Sequence, residues 1–230
     1  MGRGESGDVE PTVAPGIPPE VRRLLPDDTA KAWAELAPQL PEPLYLGGGT
    51  GVAVHLRHRE SRDLDFFSHQ DVDLERLKKK LEKLGPFAST FEDERTLKGL
   101  YGATKLEFFV APSVRQLAAP RMVAGLRIGD LRDLMAMKIK VLAERGEARD
   151  YFDVKTIDEI GGISMEEGIE LYLERYHVDP SSGVLRHLYL AMGDLSDVEE
   201  DAALPTTTKE LQEWWSERQL RVLRNSDRFS

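Results

Sequence analysis

Residues 58–67 read HRESRDLDFF, and the alternation that ends this stretch decides the fold. It predicts a β-strand with Asp63 and Asp65 on one face and Leu64 and Phe66 on the other. Two carboxylates on one face lie roughly 6–7 Å apart, and their like charges repel unless a cation lies between them. Hard oxygen ligands suit Mg²⁺ or Mn²⁺. The stretch therefore predicts a divalent metal site, and a solvated edge strand is the alternative.

A glycine turn precedes this strand. The sequence GGGT at 47–50 follows a short apolar strand at 44–46 and opens a helix. Glycine lets the backbone approach a ligand closely, and a helix N-terminus offers free N–H groups to phosphate oxygens. The glycine spacing does not match the dinucleotide-binding fingerprint. Gly48, Gly49 and Thr50 are candidate phosphate-binding residues, with a plain tight turn as the alternative.

A second candidate strand, over 104–110, carries one acid among large apolar residues. Glu107 alternates with its apolar neighbours as the two aspartates do with theirs. If the two strands are neighbours, Glu107 can complete a three-carboxylate cluster. The alternative is a structural ion pair of Glu107 with Lys105 or Lys138.

A lysine lies on the apolar stripe of the helix predicted over 131–145. An inward-facing Lys138 needs an anionic partner, which a triphosphate or a nearby carboxylate would supply. Asp150 and Asp153 are three residues apart and share one face of the next helix. They are expected to orient Lys138 or Arg145, or to contact the acceptor.

The chain divides by pattern into three parts. Residues 1–18 are rich in Gly, Pro and acidic side chains and are expected to form a flexible tail. Strand patterns concentrate between 44 and 110, so residues 19–117 are predicted to form a core of N-terminal helices and a mixed sheet. Helical spacing prevails beyond it, and residues 118–230 are predicted to form an α-helical domain. The predicted fold class is α+β.

Composition excludes several kinds of chemistry. The 230 residues include no cysteine, which removes disulfides, cysteine-based zinc sites and thiol catalysis. No run approaches the ~20 apolar residues of a membrane span, and the N-terminus lacks a signal-peptide pattern. We expect a cytoplasmic protein without membrane contact. The formal net charge of −10 means that polynucleotide contact must rest on local basic patches, with candidates at 57–62 and 121–140.

These motifs, taken in order with MKI at 137–139 and RDYFD at 149–153, resemble the AbiEii/AbiGii toxin family of nucleotidyltransferases over roughly residues 44–155. The resemblance implies a polymerase-β-like nucleotidyltransferase core followed by a helical domain, with an NTP donor and Mg²⁺. It also implies a toxin of a type IV toxin–antitoxin or phage-defence system, and some family members modify tRNA 3′ ends. The extra glycine at 47 departs from the family pattern and leaves the register of the turn open.

The resemblance also implies roles for individual residues. The turn would hold the triphosphate, the three acids would bind metal, and the lysine would neutralise phosphate. The implied catalytic residues are Asp63, Asp65, Glu107 and Lys138, of which Asp63, Asp65 and Glu107 are the metal ligands. The nucleotide-binding candidates are Gly48, Gly49, Thr50, Arg59, Ser61 and Lys138. The supporting residues are Arg145, Asp150 and Asp153.

The predicted function is Mg²⁺-dependent transfer of a nucleoside monophosphate from an NTP to an acceptor, with a tRNA or other RNA 3′ end favoured. A protein acceptor and a cognate antitoxin are further candidate partners. A non-catalytic nucleotide-binding regulator of the same fold is one alternative. A phosphatase of the haloacid-dehalogenase type is another, but two phenylalanines at 66–67 follow the acids where that class has a Gly-Thr turn.

Overall fold

The computed structural model describes residues 16–229, with the backbone alone at positions 145, 227 and 228. Most of the tail predicted over 1–18 therefore lies outside the described residues. Within them, seven strands form one sheet in the order β3-β4-β5-β2-β1-β7-β6. The strands are β1 (Tyr45–Leu46), β2 (Leu64–Ser68), β3 (Phe87–Glu92), β4 (Thr96–Tyr101), β5 (Thr104–Val110), β6 (Arg121–Val123) and β7 (Leu126–Ile128).

Nine α-helices accompany the sheet in the described part of the chain. They are α1 (Pro19–Arg22), α2 (Asp27–Leu36), α3 (Gly48–Leu56), α4 (Leu74–Leu84), α5 (Leu131–Arg145), α6 (Ala148–Ile160), α7 (Met165–Tyr176), α8 (Val184–Gly193) and α9 (Thr208–Arg224). Short 3₁₀ turns lie at Pro180–Ser182 and Ser226–Phe229. The order of elements confirms the predicted α+β class, a mixed sheet with flanking helices followed by a helical region.

The centre of the sheet is the parallel pair β2 and β5, in which Asp65 lies opposite Glu107. One face of this pair is apolar: Phe66 and Phe108 stack with ring centroids 5.1 Å apart. This face packs in a buried core with residues of α2 and α4, including Trp33. The alternation of the strands consequently points their acidic side chains to the opposite face.

A second buried core lies among the later helices. Residues of α5, α6, α7, α8 and α9 pack in it, with Trp215 of α9 fully buried. Helix α3 connects the two cores, because its Val54 packs into the first and its Val52 into the second. Helices α3 and α5 are in contact, so the acidic face of the sheet is left as one side of a cleft beside α5.

The sheet extends further along the chain than the sequence predicts. Strands were expected only up to residue 110, but β7 pairs in parallel with β1 at Leu46 and Ile128. Each of β6 and β7 has only three residues, too few for alternation to show. Two strands of the sheet thus lie beyond the boundary predicted at residue 117, and the division into two domains stays a prediction.

The starts of two helices are set by the residues around them. Helix α2 starts at Asp27, after Pro26, so two aspartates lie inside its first turn, where the helix dipole favours negative charge. Helix α3 starts at Gly48, and the glycine turn is therefore its first turn. This start of α3 bears directly on the site, because the free N–H groups of a helix belong to its first turn.

Candidate active site

Three acids share one side of a cleft of about 770 Å³ between the sheet and α5. Asp65 and Glu107 lie opposite each other on neighbouring strands, and Asp63 immediately precedes β2. All three line this cleft, as the sequence predicts for a single cluster. The same cleft is lined by Gly48, Gly49, Arg59, Ser61, Lys138 and Asp150.

The glycine turn and the second aspartate are in direct contact. Gly48 has a φ of +56°, a left-handed conformation that favours glycine. A Cβ on this residue would overlap Oδ2 of Asp65 and lie 3.0 Å from its Cγ. The backbone N–H of Gly47 also donates to the carbonyl oxygen of Asp65 at 2.8 Å. The start of α3 and the carboxylate of Asp65 are thus held against each other.

The electrostatics of Asp65 fit a bound cation. Burial raises its pKa to about 6, and the charges of Glu107 and Asp63 add to the rise, while Lys138 opposes it. Neighbouring carboxylates disfavour one another's ionised form, and a divalent cation between them relieves this repulsion. Carboxylate oxygens are also the hard donors that Mg²⁺ prefers.

The three acids do not form a ready-made metal cage. Among residues 16–229 no group of three or more His, Cys, Asp or Glu side chains is placed to hold a metal ion. Glu107 is instead paired with Lys105 at 2.8 Å and Lys98 at 3.3 Å. Burial would raise the pKa of Glu107, but these lysines outweigh it and lower the pKa. The structural ion pair with Lys105 that the sequence left open is therefore present. Mg²⁺ commonly uses one or two carboxylates plus substrate phosphates, so the donor set still fits it.

Two hydroxyl groups fix the approach to β2. Thr50 is fully buried, and its hydroxyl donates to Ser61 Oγ at 2.7 Å or to the carbonyl oxygen of Asp63. Thr50 does not line the cleft, whereas Ser61 does. The side chain of Thr50 thus positions the aspartate strand and does not itself face the cleft.

Asp153 is the centre of a buried polar network. Arg59 donates to it through Nε at 2.6 Å and through Nη2 at 2.8 Å. His58 Nε2 lies 2.7 Å from the same carboxylate. A Cβ on Gly49 would overlap Nη2 of Arg59, so this guanidinium lies directly against the first turn of α3. Arg59 and His58 therefore do not form part of the exposed basic patch predicted over 57–62.

Lys138 completes the network from α5. Its ammonium lies 2.7 Å from Asp150 Oδ1 and 2.7 Å from Asp153 Oδ2. Burial lowers the pKa of Lys138, but Asp153 and Asp150 outweigh it and raise the pKa. An ammonium has three hydrogens, so one remains for a group in the cleft. Asp150 and Asp153 thus contact Lys138, which is one of the roles predicted for them; the side chain of Arg145 lies outside the described residues.

The far end of the cleft is aromatic. Phe67 and Phe109 stack with ring centroids 5.1 Å apart, and Tyr45 lies 6.1 Å from Phe67. The alternation of β2 and β5 places Phe67 and Phe109 on the face of the acids, so the sequence carries the signal for them. Tyr45 and Tyr176 have no such signal, because they reach the cleft from β1 and from the end of α7.

A buried arginine joins the helical region to the sheet beside this aromatic end. Arg175 of α7 donates to the Tyr45 hydroxyl on β1 at 2.8 Å and pairs with Asp133 of α5. The Tyr45 hydroxyl lies 2.9 Å from His69 Nε2. Burial lowers the pKa of His69 to about 4, and the charge of Arg175 adds to the fall. Because His69 is neutral near pH 7, the Tyr45 hydroxyl can accept from Arg175 and donate to His69.

A mixed sheet with a glycine turn, paired aspartates and a neighbouring third acid is the arrangement that the sequence predicts for a nucleotidyltransferase, an enzyme that transfers a phosphorus-containing group. The family described as "Nucleotidyl transferase AbiEii toxin, Type IV TA system" matches residues 31–226. The match spans most of the chain, and the protein belongs to this family. The resemblance found in the sequence is thereby confirmed.

Individual relatives are distant. The chain is 25% identical over 160 residues to an uncharacterized protein of Aquifex aeolicus, aq_aa25, covering 68% of this chain and 78% of that one. JHP933 from Helicobacter pylori is similar in structure, with a TM-score of 0.51, 18% identity and coverage of 92% and 95%. MenT4, the nucleotidyltransferase toxin Rv2826c from Mycobacterium tuberculosis H37Rv, has a TM-score of 0.52, 14% identity and coverage of 87% and 82%. Because both identities are low, the likeness to these two structures shows only that this chain shares their fold.

No helix in residues 16–229 is long and apolar enough to cross a bilayer.

Proposed function

We propose that this nucleotidyltransferase moves a nucleoside monophosphate from an NTP to the 3′ end of an RNA, with tRNA favoured, and depends on Mg²⁺. The observation that carries the proposal is the position of Asp65, between the first turn of α3 at Gly48 and the facing Glu107. A helix N-terminus suited to phosphate and carboxylates suited to a cation thus meet in one cleft.

The donor triphosphate would bind at the first turn of α3. The N–H groups of that turn have no partner within the helix, and the helix dipole favours anions there. Arg59 lies against Gly49, and its guanidinium has N–H groups beyond those bound to Asp153. The third hydrogen of Lys138 and the hydroxyl of Ser61 complete the set that would hold phosphate oxygens.

Asp63 and Asp65 would hold the cation, and Glu107 would act beside them as the third acid. Bound there, Mg²⁺ would lower the pKa of the acceptor hydroxyl and neutralise charge on the triphosphate. The acceptor oxygen would bond to the α-phosphorus, pyrophosphate would leave, and the hydroxyl proton would pass to water. The amides of α3 and Lys138 would stabilise the charge on the departing phosphates without reorganising.

An RNA acceptor is supported by basic side chains on the cleft. Arg62 and Arg149 line it and are exposed, and Lys105 lies beside Glu107. These groups could contact backbone phosphates despite the net charge of −10. Membership in a type IV toxin–antitoxin family further supports a role as a toxin with a cognate antitoxin.

The experiment is incubation with each α-labelled NTP, together with total RNA and total protein, with Mg²⁺ or with a chelator. We expect Mg²⁺-dependent label on RNA of tRNA size. Label on protein would instead show a protein-modifying enzyme. Melting temperatures raised by NTP and Mg²⁺, with no labelled acceptor, would show a non-catalytic regulator. Phosphate released from a simple phosphomonoester would favour a phosphatase.

A further inference from the structure

The acids occupy only part of the face that the sheet presents to the cleft. Beyond them along β2 and β5 come Phe67 and Phe109, half-buried and stacked on each other. Tyr176, at the end of α7, lines the same cleft and is also half-buried. We call these three rings the aromatic compartment. Partly exposed aromatic surface inside a concave pocket is typical of a ligand-binding site.

The rings of the compartment are held in place by close packing and by a hydrogen-bonded arginine. Phe67 packs so closely on Gly47, just after β1, that a Cβ on Gly47 would lie 2.7 Å from its ring. The guanidinium of Arg175 lies 5.5 Å from the ring centroid of Tyr176 and is engaged by Tyr45 and Asp133. The compartment therefore offers ring surface from a rigid setting.

The order of features along β2 matches the order of groups in an extended NTP. The first turn of α3, with Arg59 and Ser61, lies at the start of the strand. Asp65 follows, and Phe67 comes two residues later on the same face. A triphosphate on the turn with its α-phosphate at Asp65 would direct the ribose and base onto Phe67. Glu107 lies opposite Asp65 on the neighbouring strand.

We propose that the aromatic compartment binds the nucleobase of the donor NTP by stacking, with Tyr176 as the ring that closes it. This inference rests on the proposed function, because it takes the turn at Gly48 as the triphosphate site. Stacking engages the face of a base, and every base has one. All four NTPs should therefore bind, and purines should bind more tightly than pyrimidines because they have more stacking surface.

The test is equilibrium binding to the full chain with Mg²⁺ and without acceptor. The Kd is measured for ATP, CTP and inorganic tripolyphosphate, which carries the phosphates without a base. Tyr176→Leu should weaken ATP binding about 10-fold and leave tripolyphosphate binding unchanged. Tyr176→Phe keeps the ring and should bind ATP like the wild type. Thermal melting of each variant checks that it is folded.

Two results would overturn the inference while leaving the proposed function standing. Equal loss of ATP and tripolyphosphate binding in Tyr176→Leu would mean that the ring acts on the phosphate site. If Tyr176→Leu leaves the Kd for ATP unchanged but raises the KM for RNA, the compartment binds the acceptor and not the nucleobase of the donor. If the wild type binds neither ATP nor tripolyphosphate, the proposed function itself fails.

Discussion

The carboxylate of Asp65 occupies the space where a side chain on Gly48 would begin. Two features that lie on different elements, the first turn of α3 and the acidic face of β2, are therefore in van der Waals contact. Gly48 allows this close approach because it has no Cβ, and glycine adopts its φ of +56° without strain. A bound phosphate at the turn and a cation on Asp65 would consequently be neighbours.

Replacing Gly48 with alanine should abolish transfer, because the new methyl group would displace the carboxylate of Asp65. The matched control is Gly102→Ala in the β4–β5 turn, where φ is +60° and a Cβ meets nothing within 4 Å. Both variants carry backbone strain of roughly 1–2 kcal/mol, so both should lose similar stability from this source. Transfer assays measure the activity of each variant, and denaturant unfolding measures its stability. Equal activity in both variants would contradict the account.

Asp153→Asn should lower the free energy of unfolding by about 3–5 kcal/mol, because it leaves the buried cations of Arg59 and Lys138 without their shared partner. Asp153 is fully buried. The control is Asp71→Asn, which breaks the exposed ion pair with Arg95 and should change stability little. Urea unfolding at pH 7 measures both. Similar values for the two variants would show that the network does not stabilise the fold.

Protonation of Asp153 in acid should lower the free energy of unfolding. Burial alone would raise its pKa, but Lys138, Arg59 and His58 outweigh it and hold the pKa well below the ordinary 3.8. The unfolded state therefore binds the proton more tightly, so this contribution is present above about pH 4 and is lost as the pH falls further. The free energy of unfolding should be measured for the wild type and Asp153→Asn between pH 7 and 3, and the difference between the two proteins should become smaller in acid. A difference that stays constant with pH would exclude Asp153 as the cause.

Much of the fold could be predicted because long elements show their period. Helix α5 was predicted over the 15 residues it occupies, since its apolar stripe spans four turns and places Lys138 inward. Strands β6 and β7 were wrongly omitted for the opposite reason. They are short, and exposed Met122 and Arg121 in β6 give no apolar face from which to recognise a strand.

The site could be predicted only where its residues are near in sequence. Alternation identified the cleft-facing acids, and the helical spacing of Asp150 and Asp153 indicated a shared face. The bond from Arg59 to Asp153 joins residues 94 positions apart, and the bond from Arg175 to Tyr45 spans 130. Such contacts depend on how helices dock on the sheet, which local patterns do not determine. Tyr176 was missed for this reason.

Asp65→Asn tests most directly whether Asp65 holds the cation at the reacting centre, through transfer of label from an α-labelled NTP to RNA. Mutating even the partners of metal ligands typically costs ~10–100-fold, so loss of a ligand should reduce transfer by more than about 100-fold. Stability should be equal or higher, because the raised pKa of Asp65 shows that its charge is disfavoured in the folded state. Transfer by a folded Asp65→Asn at the wild-type rate would contradict the account.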